Sequence, residues 1–276
     1  MRTEPPTSAA ARPEPMTVGV FDSGVGGLSV LRALHRELPG ARLVYVADSG
    51  YAPYGERPRD YVLQRSQVLT EFLQAQGARV IVIACNTATA AAGQWLREHY
   101  PDTCFVGVEP GLKPAVTASR NRIVGVMATQ GTLASEKFQA LRRPLEAQTR
   151  IVTQACTGLA GALERGDPQA GEVQELVRRH CAPLREAGVD TVVLGCTHYP
   201  FATDAIQREL GPSVLLIDTA EAIARHTVTQ VRRVHGALPS PDAPDGVSAY
   251  TSGPVAVLEK IAEAWLDFPM SVQALP

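Results

Sequence analysis

Two cysteines of the 276-residue chain stand in similar surroundings, each at the end of an apolar run. Cys85 follows the run 80–84, and Cys196 follows the run 191–194 and one glycine. The residues after each cysteine carry amide, hydroxyl or imidazole groups, and His198 is two residues beyond Cys196. Thiols react as thiolates, which hydrogen-bond donors or a neighbouring histidine stabilise. A single cysteine of this kind is more often structural, but the matched pair indicates two catalytic thiols with His198 as a proton carrier.

A third chemical motif is the glycine-rich segment 22–27, DSGVGG, which directly follows the apolar run 18–21. Its glycines allow a tight turn, and backbone N–H groups at the following helix start suit an anion such as a carboxylate. The segment does not match the dinucleotide-binding fingerprint, because Ser29 occupies the place of the third glycine. A purely structural turn is an equal alternative. Asp22 at a strand end is nevertheless a candidate proton partner, with Ser23 beside it.

Two further polar segments follow predicted strands and could contact a ligand. The first is a loop that contains Pro53, Tyr54 and Gly55, for which a rigid connection is the alternative interpretation. The second contains Thr129 and Thr132, three residues apart at a predicted helix start. Their hydroxyls could hold the ammonium or carboxylate group of an amino acid, or they could only cap the helix.

The elements that must position these residues are β-branched apolar runs, which alternate with segments of helical period. Apolar residues recur at helical spacing over residues 28–38 and 61–76. The runs are continuously apolar, which is typical of a parallel sheet covered by helices on both faces. The predicted strands are 18–21, 43–46, 80–84, 105–108, 123–127, 151–154, 191–194, 214–217 and 247–250.

These strands could close one barrel or form two open sheets, and the repeated cysteine unit favours two sheets. Open α/β sheets bind ligands at the carboxyl ends of their strands, so two facing sheets would bring both cysteines to one cleft. We predict an α/β fold of two doubly wound, mainly parallel sheets. The first domain comprises residues 16–110 and 220–276, and the second comprises 111–219. Residues 1–15 contain four prolines and no apolar run, which predicts a disordered leader rather than a secretory signal.

The composition excludes several classes of protein. With 45% apolar and 20% charged residues the chain is typical of soluble globular proteins, and its net charge of −2 offers no broad basic surface for nucleic acid or an anionic membrane. No apolar run approaches the ~20 residues that span a bilayer. The five cysteines are odd in number and form no CxxC pair, which argues against a disulfide framework or a zinc ribbon. Cys104, Cys156 and Cys181 are therefore predicted to be free, mostly buried thiols.

Taken together, these motifs resemble the glutamate racemases, a family of cofactor-independent enzymes of bacterial cell-wall synthesis. The resemblance covers roughly residues 17–265 and implies two flavodoxin-like domains with the active site between them. It implies interconversion of L-glutamate and D-glutamate without metal, flavin or pyridoxal phosphate, by a cytoplasmic homodimer that supplies peptidoglycan synthesis. The matching segments are DSGVGGLSVL at 22–31, YAPYGERP at 51–58, ACNTATAA at 84–91, VEPGLKPA at 108–115, ATQGT at 128–132 and GCTHYPF at 195–201.

The resemblance also implies roles for individual residues. Cys85 and Cys196 correspond to the catalytic pair, with Asp22 beside Cys85 and His198 beside Cys196. Glu164 occupies the position of an assisting acid, although residues 156–161 depart from the segment that the family commonly has there, which puts this role in doubt. The implied substrate contacts are Asp22, Ser23, Pro53, Tyr54, Gly55, Asn86, Thr87, Thr129, Thr132, Thr197 and His198.

Two alternatives stay open at this point. A sister activity such as aspartate racemisation depends on pocket depth, and an assay on both amino acids would distinguish the two. A flavodoxin-like module could also keep these motifs and bind glutamate without turnover. The arginine pairs at 142–143, 178–179 and 232–233 do not favour a nucleic-acid partner, because such pairs usually lie on solvated helix faces.

Overall fold

The computed structural model describes residues 16–241 and 246–276, so the predicted leader at 1–15 lies outside the described residues. The strands of the described ranges are β1 (Thr17–Asp22), β2 (Arg42–Ala47), β3 (Val80–Ile83), β4 (Cys104–Gly107), β5 (Ile123–Ala128), β6 (Arg150–Ala155), β7 (Thr191–Gly195), β8 (Leu215–Ile217), β9 (Gly246–Thr251) and β10 (Ser271–Ala274). The helices are α1 (Leu28–Glu37), α2 (Arg59–Ala75), α3 (Asn86–His99), α4 (Leu112–Ala118), α5 (Gln130–Ala134), α6 (Glu136–Arg142), α7 (Leu159–Glu164), α8 (Gly171–Glu186), α9 (Thr203–Leu210), α10 (Ala220–His235) and α11 (Val255–Trp265).

The strands form two sheets in which every pairing is parallel. The first sheet has the order β10-β9-β2-β1-β3-β4, and the second has the order β6-β5-β7-β8. In the first sheet, the order in which successive strands are added reverses between the neighbouring strands β1 and β3. In the second sheet, it reverses between the neighbouring strands β5 and β7. Such switch points open crevices at the carboxyl ends of the strands, where α/β sheets bind ligands. The predicted α/β architecture of two parallel sheets is confirmed.

The central strands are buried on both faces, as their continuous apolar sequences predicted. All six residues of β1 are buried, and Val18 and Val20 expose no surface. Burial of each such side chain contributes about 1.5–3 kcal/mol. One apolar cluster extends from the first sheet through α1 and α10 to Met127 and Val192 of the second sheet. The two sheets therefore share a continuous core, which keeps the ends of their strands in a defined relation.

The nine predicted strands are confirmed, and their ends differ from the observed ones by no more than one residue. Strand β10 was not predicted, because its four residues are exposed or half-buried at the sheet edge and form no apolar run. Strands β1–β4, β9 and β10 belong to the first sheet and β5–β8 to the second, while the domain boundaries near residues 110 and 220 stay a prediction. Among the described residues, no helix has the length and apolar character needed to cross a bilayer.

Candidate active site

The two cysteines singled out in the sequence lie at strand ends and are buried. Cys85 follows β3 and caps α3, because its sulfur accepts a hydrogen bond from the backbone N–H of Ala88 at 3.5 Å. Cys196 follows β7 and precedes a short 3-10 turn at Tyr199–Ala202. Since β3 and β7 each border a switch point of their sheet, each thiol lies where its sheet opens a crevice.

Asp22 ends β1 and lies on the Cys85 side of the site. Its carboxylate accepts a hydrogen bond from the Gly27 backbone N–H at 2.7 Å, and the Ser23 hydroxyl lies 3.4 Å from the other oxygen. The Cys85 thiol donates to the Ser23 hydroxyl at 3.6 Å, so Ser23 links the thiol to the carboxylate. Burial raises the pKa of Asp22 to about 6. Burial, together with the Asp22 charge, also raises the pKa of Cys85 well above its usual value, which favours the neutral thiol there.

His198 links Cys196 to Glu164. Its Nδ1 lies 3.8 Å from the Cys196 sulfur, and its Nε2 lies 2.6 Å from Oε2 of Glu164. Burial lowers the pKa of His198, but the hydrogen bonds and charges of Cys196 and Glu164 outweigh it and raise that pKa well above the usual value. Burial likewise opposes ionisation of Glu164, yet His198 holds the pKa of Glu164 below its usual value. Both shifts favour the imidazolium form of His198 and the carboxylate form of Glu164.

Glu164 lies inside the site, although the departure of residues 156–161 from the family pattern put its role in doubt. Gly158 adopts a left-handed conformation with φ of 83° directly before α7, and Glu164 ends that helix. Its carboxylate accepts hydrogen bonds from the Val25 backbone N–H at 2.9 and 3.2 Å and from the Ser49 hydroxyl at 2.5 Å. The glycine-rich segment after β1 thus binds an anion of the protein itself.

Residues of the two sheets also contact each other next to the thiols. The Thr197 hydroxyl donates to the Asp22 carboxylate at 3.2 Å, and the Ser29 hydroxyl approaches the Thr197 carbonyl oxygen at 3.4 Å. The Cys85 and Cys196 sides of the site are therefore joined through Asp22 and Thr197.

Three threonine hydroxyls form a cluster between the starts of α3 and α5. Thr87 at the start of α3 lies 2.9 Å from Thr129 and 3.5 Å from Thr132, and the latter two are 2.9 Å apart. Thr129 also caps α5 by accepting a hydrogen bond from the Thr132 backbone N–H at 3.2 Å. The capping interpretation is thus confirmed, and it leaves the hydroxyl cluster in place beside Asn86, the first residue of α3.

The loop after β2 reaches the same cluster through its backbone. A methyl group added at Gly55 would lie 2.7 Å from the Thr129 side chain, so the Gly55 peptide packs directly on that threonine. Tyr54 is 1% exposed, and its hydroxyl donates to Asp48 at 2.5 Å. Pro53 lies beside Gly161 of α7. A methyl group added at Gly161 would be 3.9 Å from the Pro53 ring.

The space around the thiols is small in this arrangement. The cavity bordered by Cys196, Thr197 and Asn86 has a volume of about 10 Å³, which accommodates roughly one water molecule. A larger cavity of about 280 Å³ lies next to it and is bordered by Asn86, Thr132 and Lys137. The cavity at Cys196 is too small for an amino acid.

Several residues of the site were not identified from the sequence. Asp48 and Ser49 directly follow β2, so the strand-end rule that identified Asp22 and Cys85 could also have indicated them. Arg65 and Ser252, which both bind Asp48, carried no signal, because each lies far from it along the chain. The other three cysteines are free, as predicted: Cys156 and Cys181 are buried and Cys104 is half-buried. Within the described ranges, no three His, Cys, Asp or Glu side chains could jointly hold a metal ion.

Comparison with known proteins identifies the family of the chain. The model of the Asp/Glu/hydantoin racemase family matches residues 18–227. A glutamate racemase of Ectopseudomonas mendocina is 51% identical over 219 residues, which cover 79% of this chain and 82% of that protein. A glutamate racemase of Ralstonia nicotianae is 50% identical over 228 residues, with 81% and 82% covered.

Solved structures give the same assignment. The structure of a Bacillus anthracis glutamate racemase matches with a TM-score of 0.83 at 32% identity and covers 95% of this chain and 97% of that one. The Escherichia coli glutamate racemase, solved with L-glutamate and the activator UDP-MurNAc-Ala, matches with a TM-score of 0.81 at 29% identity, with 95% and 99% covered. The chain therefore belongs to the Asp/Glu/hydantoin racemase family, among its glutamate racemases, and is an isomerase.

Proposed function

We propose that the protein interconverts L-glutamate and D-glutamate by a two-thiol mechanism, in which one of Cys196 and Cys85 removes the Cα proton and the other donates a different proton to the opposite face. The observation that carries this proposal is that each thiol, at a strand end, has its own titratable partner. Cys85 reaches Asp22 through Ser23, and Cys196 contacts His198. The names of relatives that are half identical, and the L-glutamate bound to the Escherichia coli relative, support glutamate as the substrate.

Racemisation needs a base on one face of Cα and an acid on the other. From L-glutamate, the Cys196 thiolate takes the Cα proton, and the electron pair of the broken C–H bond stays on Cα. The Cys85 thiol then donates its proton to the opposite face, where that electron pair forms the new C–H bond. Turnover leaves Cys196 as a thiol and Cys85 as a thiolate, from which the reverse reaction starts with D-glutamate.

The charges of the site fit the state that accepts L-glutamate. The His198 imidazolium lies 3.8 Å from the Cys196 sulfur and would stabilise negative charge on it. On the opposite side, burial and the Asp22 charge raise the pKa of Cys85, so this thiol keeps the proton that it is to donate. Glu164 holds the imidazolium in place and acts as the assisting group.

The carbanion-like transition state also needs stabilisation by the chain's own groups. A cofactor-independent mechanism depends on neutralising the α-carboxylate with hydrogen-bond donors and on excluding water. The donors proposed for the α-carboxylate and ammonium groups are Ser23, Asn86, Thr87 and Thr197, with the backbone N–H groups at the start of α3. Thr129, Thr132 and the loop Pro53–Gly55 complete the proposed substrate site.

Replacement of each thiol tests the proposal. Cys85→Ala and Cys196→Ala should each lower glutamate racemisation by at least ~10³-fold, because each removes the acid or base from one face. The assay follows the optical signal of glutamate by circular dichroism, without added cofactor. Cys181→Ala is the matched control, since this buried thiol lies in α8. Unchanged far-ultraviolet spectra would show that the fold persists, and full activity in either of the first two variants would refute the mechanism.

Two further measurements define the reaction. Product formed in D₂O should carry deuterium at Cα, because the thiols exchange protons with solvent. The same assay with aspartate distinguishes the sister activity, and binding of glutamate without turnover would instead support a ligand-binding module. We also propose that the D-glutamate supplies peptidoglycan precursors in the cytoplasm and that the enzyme is a homodimer, as the resemblance implies.

A further inference from the structure

Asp48 is a buried carboxylate that none of the proposed catalytic steps uses. Its first oxygen accepts hydrogen bonds from Nη2 of Arg65 at 2.8 Å and from the Ser252 hydroxyl at 2.8 Å. Its second oxygen accepts from Nε of Arg65 at 2.9 Å and from the Tyr54 hydroxyl at 2.5 Å. The Arg65 guanidinium also lies over the Tyr51 ring, 3.6 Å from its centroid. Four donors thus hold one side chain that exposes no surface.

The hydrogen bonds of this network compensate for the burial of its charged groups. A bidentate arginine with two hydroxyl donors is an arrangement that compensates a carboxylate for the loss of water. The hydrogen bonds with Asp48 raise the pKa of Arg65, although burial opposes this, so the guanidinium stays protonated. Burial and the Asp48 charge raise the pKa of Tyr54, so its phenol stays a neutral donor. The network is therefore a fixed support for the loop that follows β2.

The network connects to the proposed active site on both sides of Asp48. The Asp48 backbone N–H donates to the Asp22 carbonyl oxygen at 3.0 Å, which ties it to the end of β1. The next residue, Ser49, donates to Glu164. At the far end of the loop, Tyr54 is followed by Gly55, whose peptide packs on Thr129.

We propose that the Asp48–Arg65 pair is a positioning group that fixes the Tyr54–Gly55 peptide against Thr129 and thereby shapes the amino-acid site. In this assignment the Tyr54 hydroxyl acts through Asp48 and does not contact the substrate. The inference rests on the proposed function, because it assumes that the loop and the threonine cluster bind the amino acid. The peptide does not contact the protons that Cys85 and Cys196 transfer, so it stabilises the bound substrate and the transition state alike.

Such uniform binding predicts a split between the kinetic constants. Arg65→Met should raise KM for both glutamate enantiomers ~10-fold or more and change kcat less than ~3-fold, because a charged hydrogen-bond pair is lost. Tyr54→Phe should raise KM by a smaller factor, and Arg65→Lys should fall between wild type and Arg65→Met. Arg42→Met is the matched control: Arg42 is also half-buried, and it binds the Gln76 carbonyl and side-chain oxygens at the other end of β2. Its KM should equal that of wild type.

The outcomes separate the two proposals. Wild-type protein that does not racemise glutamate refutes the proposed function and removes the basis of the inference. Active wild type with an unchanged KM in both Tyr54→Phe and Arg65→Met refutes the positioning role alone. A fall of kcat at constant KM, or an equal KM increase in Arg42→Met, also refutes it. If Arg65→Met does not fold, Tyr54→Phe and Ser252→Ala decide, since each removes one hydroxyl donor from Asp48.

Discussion

At the scale of single residues, Asp22 is a carboxylate whose burial lowers the stability of the folded protein and places the group beside the Cys85 thiol. Its carboxylate is completely buried beside Ser23 and accepts hydrogen bonds from the Gly27 backbone and from Thr197. These bonds only partly replace the lost water, so burial keeps the pKa raised to about 6. An acid with such a pKa is available as a proton partner for Cys85 near neutral pH, and its ionisation weakens the folded state.

Replacement of this carboxylate should therefore stabilise the protein. With a pKa raised from 3.8 to about 6, Asp22→Asn should increase the free energy of unfolding at pH 7 by ~2–3 kcal/mol. Between these two pKa values the folded protein binds more protons than the unfolded chain, so stability falls as the pH rises through this window. Urea unfolding at about pH 4 and pH 7 should show the larger gain at pH 7, together with a loss of racemisation.

Asp190 provides a control of opposite sign. Although burial opposes it, hydrogen bonds from Ser119 and from the Arg120 and Asn121 backbone lower the pKa of Asp190, so this carboxylate contributes stability when it is ionised. Asp190→Asn should lower the free energy of unfolding at pH 7. Destabilisation of both variants at pH 7 would contradict the assignment of a raised pKa to Asp22.

At the scale of elements, the turn Val25–Gly27 of the first sheet fits closely against residues attached to the second. A methyl group added at Gly26 would lie 2.5 Å from Nδ1 of His198 and 2.8 Å from the Thr197 hydroxyl. The absence of a side chain at this position is therefore what allows the imidazole to lie beside Cys196. Glycine is needed at position 26 because the backbone approaches His198 and Thr197 closely, and not because of a left-handed backbone conformation.

Gly26→Ala should displace His198 and lower racemisation by on the order of 10²-fold, because small displacements of catalytic groups carry costs of this size. The helix content should stay as in wild type. Gly171→Ala at the start of α8 is the control, since an added methyl group there meets no atom within 4 Å. Equal activity of the two variants, measured by the racemisation assay, would show that the close contact has no role in positioning His198.

At the scale of the whole molecule, the site is closed by hydrogen bonds between the two sheets' connecting segments. Because the cavity at Cys196 is too small for an amino acid, we expect the site to open at these hydrogen bonds when an amino acid enters. Val25 reports on this opening, since its backbone N–H binds Glu164, whereas Val20 lies in the centre of β1 and is exposed only by unfolding.

Hydrogen exchange should distinguish the two events. In Glu164→Ala the Val25 amide should exchange at least ~10-fold faster, because a charged hydrogen bond is lost, while exchange at Val20 stays unchanged. Glu172→Ala is the control, since this exposed acid pairs with Arg165 at the surface. Equal acceleration of Val25 and Val20 would mean that the protein loosens as a whole and that the two sheets do not separate as units.

Local sequence patterns determined much of this protein. Nine strands followed from continuous apolar runs, and the strand-end rule identified Asp22, Cys85, Cys196 and His198, because a parallel sheet always presents its carboxyl ends at one edge. Strand β10 was not predicted, because it is an exposed edge strand and such a strand does not require a run of apolar residues. The sequence also carried the family resemblance, which the comparisons confirmed.

Only the tertiary structure decided which side chains meet across the site. Glu164 binds Val25 and Ser49, and Thr197 binds Asp22. No periodicity encodes these contacts, because they depend on how the second sheet is held against the first by a shared core. Residue types and strand ends specify which groups are available for proton transfer. The packing of the two sheets sets their distances and burial, and through these the pKa values on which the proposed chemistry depends.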